Sequence, residues 1–249
     1  MRETLYGRNA VYESLRAGRR EFFRLFLADT VRTADIIEDI LTLAGRAGVP
    51  VERVPRRHLD WLGEANHQGV ALEASEYPYV DPDDILAESL RRGEPPFLLL
   101  LDLLQDPQNV GTLLRTAEAV GVHGVVLQQR RAVGITPAVV HTSAGAVEHL
   151  LVAQVVNLPE TVEYLKARGI WVFGLEAVRG AKPYDQVDFT GPVAVVVGSE
   201  GEGIRRLVAE RCDGMVMLPM RGKVTSLNAA VAGSVVLYEV WRQRTSRGR

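Results

Sequence analysis

Six largely apolar runs, at 97–101, 122–127, 150–156, 170–175, 193–197 and 215–218, broken only by His123 and Gln154 among polar residues, dominate the second half of this chain. Runs of this length without polar alternation suit strands buried on both faces, and a sheet covered on both faces is characteristically parallel. Between several of them lie segments opened by Asn or Pro and closed by Gly, such as 159–168 before Gly169, which read as helices. An α/β domain with a mainly parallel sheet is therefore expected over 96–249. The first 75 residues carry a different alternation: a helix at 9–16, a strand at 22–27, a helix with Ile36, Ile40 and Leu43 on one stripe, and a strand at 49–54. They predict a small α/β domain of their own, 1–75. Residues 76–95, rich in Pro, Gly and charge, predict a linker.

Composition narrows the class. With 249 residues, 47% of them hydrophobic, the chain reads as an ordinary globular protein. No apolar run approaches the roughly 18–20 residues of a membrane span, and the first residues lack a signal peptide's apolar core, so a cytoplasmic protein without a membrane partner is expected. The single cysteine, Cys212, has no Cys or His cluster around it; no metal site is expected, and Cys212 reads as a small core residue. A net charge of −2 excludes a uniformly basic nucleic-acid coat. Arginine nevertheless gathers at Arg16, Arg19, Arg20 and Arg24, at Arg53, Arg56 and Arg57, and at Arg242, Arg244, Arg247 and Arg249. Each cluster alone reads as solvated surface; the three together are compatible with RNA contact.

In an open parallel sheet the ligand lies beyond the carboxyl ends of the strands. Three of those ends are unusual. After 97–101 come Asn109, expected to cap a helix, and Arg115, which lies off the stripe Val110, Leu113, Leu114 and Ala117; it is free for a ligand or pairs with Glu118. After 193–197 comes Gly198-Ser199-Glu200-Gly201-Glu202-Gly203, and after 215–218 a segment leading through Ser226 and Asn228 into a helix of small residues. A Walker-type phosphate loop is excluded, because Met217 and Val224 stand where Gly and Ser or Thr are required. The dinucleotide fingerprint is excluded too: the glycines run G-x-x-G-x-G, and Glu200 and Glu202 would repel a pyrophosphate. A carboxylate such as Glu200 at a crowded strand end needs donors or a cation.

In this order, Asn109-x-Gly111-x-x-x-Arg115, Gly198 to Gly203, and Leu218-Pro219-Met220 with Ser226-Leu227-Asn228 resemble the three motifs of the SpoU (TrmH) family of RNA ribose 2′-O-methyltransferases. Residues 143–148 resemble that family's insert between motifs, and 6–13 with 67–70 resemble the L30e-like RNA-binding domain of its two-domain members. Thr112 stands where Ala is common. The resemblance implies a SPOUT-type fold, an α/β domain with a mainly parallel sheet and a C-terminal trefoil knot, which general packing rules would have rejected. It also implies S-adenosylmethionine as cofactor and a homodimer with the site near the subunit interface. The implied reaction is methyl transfer to a ribose 2′-hydroxyl, in the most similar two-domain members that of a guanosine in large-subunit (23S) ribosomal RNA; transfer RNA, or RNA binding without catalysis, are the alternatives. By the same resemblance Asn109, Arg115, Glu200, Ser226 and Asn228 belong to the catalytic centre, and Gly174, Leu175, Gly198, Leu218, Met220 and Leu227 to the cofactor pocket. Arg115 is the family's favoured base, but a guanidinium stays protonated and has no acceptor, so clamping a phosphate suits it better.

Overall fold

The computed structural model describes residues 2–33, 35–62, 66–224 and 226–246, which form two compact units. The first unit is Met1–Pro78 with Ile135–His149, and the second is Tyr79–Gly134 with Leu150–Arg249. The first contains β1 (Arg2–Tyr6), α1 (Arg8–Ala17), β2 (Phe22–Ala28), α2 (Ile36–Arg46), β3 (Val51–Val54) and β4 (Val70–Ser75). Its sheet runs β1-β4-β2-β3, with β4 antiparallel to both neighbours and β2 parallel to β3.

Residues 76–95 are more than a linker. They hold α3 (Pro82–Arg92), started by Pro82 and stopped by Gly93 in the left-handed region. Next come β5 (Phe97–Asp102), α4 (Pro107–Ala119) and β6 (Gly124–Gln128). The chain then enters the first unit, where it adds α5 (Pro137–Thr142) and a short turn at Ala146–His149. It returns to the second unit for β7 (Leu151–Val155), α6 (Leu158–Lys166), β8 (Trp171–Leu175), β9 (Lys182–Pro183), β10 (Val193–Gly198), α7 (Arg206–Ala209), β11 (Gly214–Met217) and α8 (Ala229–Ser246). The seven strands order as β7-β6-β5-β10-β8-β11-β9, and every pairing is parallel. Leu98, Leu100, Val126, Val172, Ala194 and Val196 line one buried face of this sheet, under Val162 and Leu165 of α6. From β5 the chain steps one way through β6 to β7 and then crosses to the other side, so the sheet reverses between β5 and β10. In open parallel sheets such a reversal places a ligand beyond the carboxyl ends of the two strands.

The expected cap is displaced. Pro107, with φ already set for a helix, starts α4 early, and the Asp106 carboxylate accepts from the Gln108 amide at 3.0 Å; Asn109 falls in the first turn and is buried. Several clustered arginines are also consumed by structure. The Arg20 side chain is fully buried against Glu148, and Arg244 gives its N–H groups to the carbonyls of Pro95, Pro96, Phe189 and Gly191 over the Phe97 ring. Arg242 pairs with Glu239, and Arg247 and Arg249 lie outside the described residues. Burial pushes the Cys212 thiol up to about 12, which makes it unreactive at neutral pH. No described helix is long and apolar enough to cross a membrane, and no group of three or more His, Cys, Asp or Glu among the described residues could hold a metal ion.

Candidate active site

Strand β10 ends in a turn that only glycine can start. A Cβ on Gly198 would lie 2.3 Å from the Gly203 carbonyl carbon, because the loop folds straight back. Ser199 and Gly203 exchange both backbone hydrogen bonds, at 3.2 and 3.1 Å, and lock that fold. The loop is then tied to the two neighbouring strand ends. Asp102, fully buried at the end of β5, accepts from the Arg205 amide and from its Nε, both at 2.8 Å. Glu176, just past β8, accepts from the Ile204 amide at 3.2 Å.

Against this loop stands Asn228, immediately before α8. Its Oδ1 accepts from the amides of Ala230 and Val231 at 3.0 and 3.1 Å, capping the helix. That fixes the amide's orientation and points Nδ2 the other way, with one N–H for each remaining partner. Nδ2 donates to Asn109 Oδ1 at 2.8 Å and to Glu200 Oε1. Three residues from three strand ends thus form one hydrogen-bonded cluster, and Glu200 finds its donor. The side-chain N–H group of Asn109 has no hydrogen-bond partner among the described residues.

Two cavities flank the cluster. The first, of about 510 Å³, is lined by Leu175, Gly198, Leu218, Met220 and Leu227, with Glu200, Ser226 and Asn228 at its wall. The second, of about 300 Å³, is lined by Leu103, Gln105, Asp106, Asn109 and Glu202. Ser199 and Glu200 face both. Two of the expected site residues are not brought here. Gly174 is buried inside β8, where a Cβ would lie 2.7 Å from Met215 Sδ, so it serves packing between strands. Arg115 lines neither cavity; it is exposed on α4 and makes no ion pair with Glu118 or any other described residue. Conversely Asp102, Arg205 and Glu176 were missed. The visible signal was an acid directly ending an apolar run, at 102 and again at 176.

A sequence profile described as the SpoU rRNA Methylase family matches residues 96–238, more than half of the chain. The chain belongs to the SpoU family. A second profile, described as RNA 2′-O ribose methyltransferase substrate binding, matches residues 4–80 of this SpoU protein. It is 44% identical, over 97% of its length and 96% of the relative's, to a Bacillus subtilis protein named as the TrmH family tRNA/rRNA methyltransferase YacO. The crystal structure of the SpoU methyltransferase AviRb from Streptomyces viridochromogenes, in complex with the cofactor AdoMet, superposes with a TM-score of 0.80 at 26% identity, covering 98% of this chain and 90% of that one. An A. aeolicus TrmH/SpoU tRNA modifying enzyme superposes with a TM-score of 0.56 at 26% identity, covering 66% of this chain and 86% of that one. The SpoU protein described here is accordingly an RNA methyltransferase that uses S-adenosylmethionine.

Proposed function

We propose that this SpoU protein methylates the ribose 2′-hydroxyl of a guanosine in large-subunit ribosomal RNA, as an RlmB-like enzyme. The observation that carries the reading is the pair of cavities sharing Glu200 and Ser199, with the Asn109–Asn228–Glu200 cluster beside them. The first cavity fits the cofactor. It has the size of a small-molecule site, leucine and methionine side chains for a flat base, glycine backbone for close approach, and carboxylates but no basic side chain among the described residues of its lining. When bound there, S-adenosylmethionine supplies an electrophilic methyl group on a cationic sulfur, which becomes a neutral thioether once the ribose oxygen has taken the methyl and released its proton. The second cavity then receives the target ribose. The free N–H group of Asn109 orients it, Asn228 holds Asn109 and Glu200 in register, and Ser226 shapes the wall between the two reactants.

The match of residues 4–80 to a substrate-binding profile supports RNA recognition by an L30e-like first unit. The family's description and the partial coverage of the tRNA-modifying structure favour ribosomal over transfer RNA. A trefoil knot belongs to this reading, supported by the way the second and third motifs border one cavity. So does a homodimer. Helix α8 buries Val236, Leu237 and Val240 on one face and exposes Val231, Val235, Tyr238 and Trp241 on the other, an apolar stripe that starts beside Leu227 of the cavity. Arg115, unpaired on the neighbouring α4, is available to clamp RNA phosphate near that interface. Light scattering is expected to give a dimer, and Val235→Glu with Tyr238→Glu a monomer; a monomeric parent protein would end the dimer reading.

The reading is tested by transfer of tritiated methyl from S-adenosylmethionine to RNA from a strain lacking the gene. Label is expected in 23S ribosomal RNA, at one guanosine whose 3′ linkage becomes resistant to alkali. Label in transfer RNA would move the substrate to that class. Cofactor binding with label in neither would leave a non-catalytic RNA-binding protein.

A further inference from the structure

We infer that Glu176 makes the cofactor cavity a charge reader, so that it holds the sulfonium cofactor more tightly than the neutral thioether product. The inference rests on the cofactor assignment above and extends it to a residue outside the three motifs. Glu176 and Glu200 are the charged side chains of the cavity lining, and both are acidic. Glu200 is engaged by Asn228 in the cluster. Glu176 is bound differently. Its Oε2 takes the Ile204 amide at 3.2 Å, and its Oε1 lies 2.4 Å from where a Cβ on Gly203 would stand, with Gly203 itself at φ +69°. The carboxylate is therefore pressed against backbone, with one oxygen held by one N–H and no cation paired to it among the described residues. A single neutral N–H does not balance a full negative charge, so the cavity keeps a field that favours a cation.

S-adenosylmethionine carries one more positive charge than S-adenosylhomocysteine, and the charge lost in the reaction is the sulfur's. A cavity that reads this difference releases product more readily than cofactor, at no cost to adenosine recognition. Shape and charge are separable at this position. In Glu176→Gln the amide oxygen still accepts from Ile204, in nearly the same volume, while the charge is gone. In Glu176→Ala both the charge and the hydrogen bond are lost.

Calorimetric titration of the full-length protein and both variants tests this, with S-adenosylmethionine, S-adenosylhomocysteine and sinefungin, whose amine carries a charge near the sulfur position without a transferable methyl. Glu176→Gln is expected to weaken S-adenosylmethionine and sinefungin on the order of fivefold, the scale of one partly hydrated charge acting within a single cavity. S-adenosylhomocysteine should change less than twofold, and raising the salt should shrink the difference in the parent protein. Equal losses for all three ligands in Glu176→Gln would make Glu176 a loop clasp and overturn the inference, as would no loss for any. Glu176→Ala should add a loss common to all three. If the parent protein binds none of them, the cofactor reading fails and the inference with it; binding without charge discrimination removes the inference alone.

Discussion

Asn228→Ala is expected to lower methyl transfer by about a hundred- to a thousandfold while costing about 2–3 kcal/mol of stability. The two effects come from opposite ends of one amide. Oδ1 caps α8 through the amides of Ala230 and Val231, and an alanine there forfeits an ordinary N-cap. Nδ2 holds Asn109 and Glu200, so the same change leaves the buried Asn109 carbonyl without its donor and frees Glu200 beside the transfer site. Asn228→Asp separates them. Its oxygens still cap the helix, and a negative charge there complements the helix dipole, which offsets part of the repulsion from Glu200, so stability should fall no further than in the alanine variant. The former donor becomes an acceptor facing Asn109 Oδ1 and the Glu200 carboxylate, and activity should fall at least as far as in the alanine variant. Thermal melting and initial methyl-transfer rates, measured on both variants, check this. An aspartate variant that keeps activity would show that donation from Asn228 is not needed.

That cluster also marks the limit of what the sequence makes legible. The strands were readable because a strand buried on both faces must be apolar throughout, and 97–101 and 193–197 are. Asn109, Glu200 and Asn228 were readable as site members through the order of their motifs. Their mutual hydrogen bonds, across 119 and 28 residues, depend on which strand ends become neighbours, and no local pattern states that. The pair Asp102–Arg205, 103 residues apart, was invisible for the same reason. Asn109 was misread as a cap because Asp106-Pro107 just before it is the stronger helix start. Strands β1 and β4 were missed at the ends of the first unit: 2–6 mixes charge with apolar residues, and its role appears only once β4 pairs with it. Residues 135–149 contain an ordinary helix start at Thr136-Pro137, and nothing in that pattern says which of two cores it joins.

Glu148→Gln is expected to destabilise the first unit by about 3–5 kcal/mol and to leave the cofactor site intact. Glu148 lies at the end of the returning segment, and its side chain and that of Arg20 are both fully buried. The guanidinium gives Nε and Nη2 to the two carboxylate oxygens at 3.0 and 2.8 Å, and Nη1 to Glu3 and to the Ser75 carbonyl at 2.8 and 2.9 Å. Burial alone would pull the Arg20 pKa down, yet it is raised, because Glu148 and then Glu3 outweigh the desolvation. Removing the Glu148 charge leaves a buried cation facing Glu3, whose own pKa is raised by burial before Arg20 pulls it back. Replacing both partners, Arg20→Met with Glu148→Leu, removes the charges together and should recover most of the loss. Because the units are distinct, a single melting temperature would blur the effect. Hydrogen exchange resolves it: amides of β1, β2 and β4 should lose protection in Glu148→Gln and regain it in the double variant, with β5 and β10 unchanged. S-adenosylmethionine affinity should hold in both while RNA affinity falls in the single variant. Loss of protection in β5 and β10 as well would show that the pair secures more than the first unit.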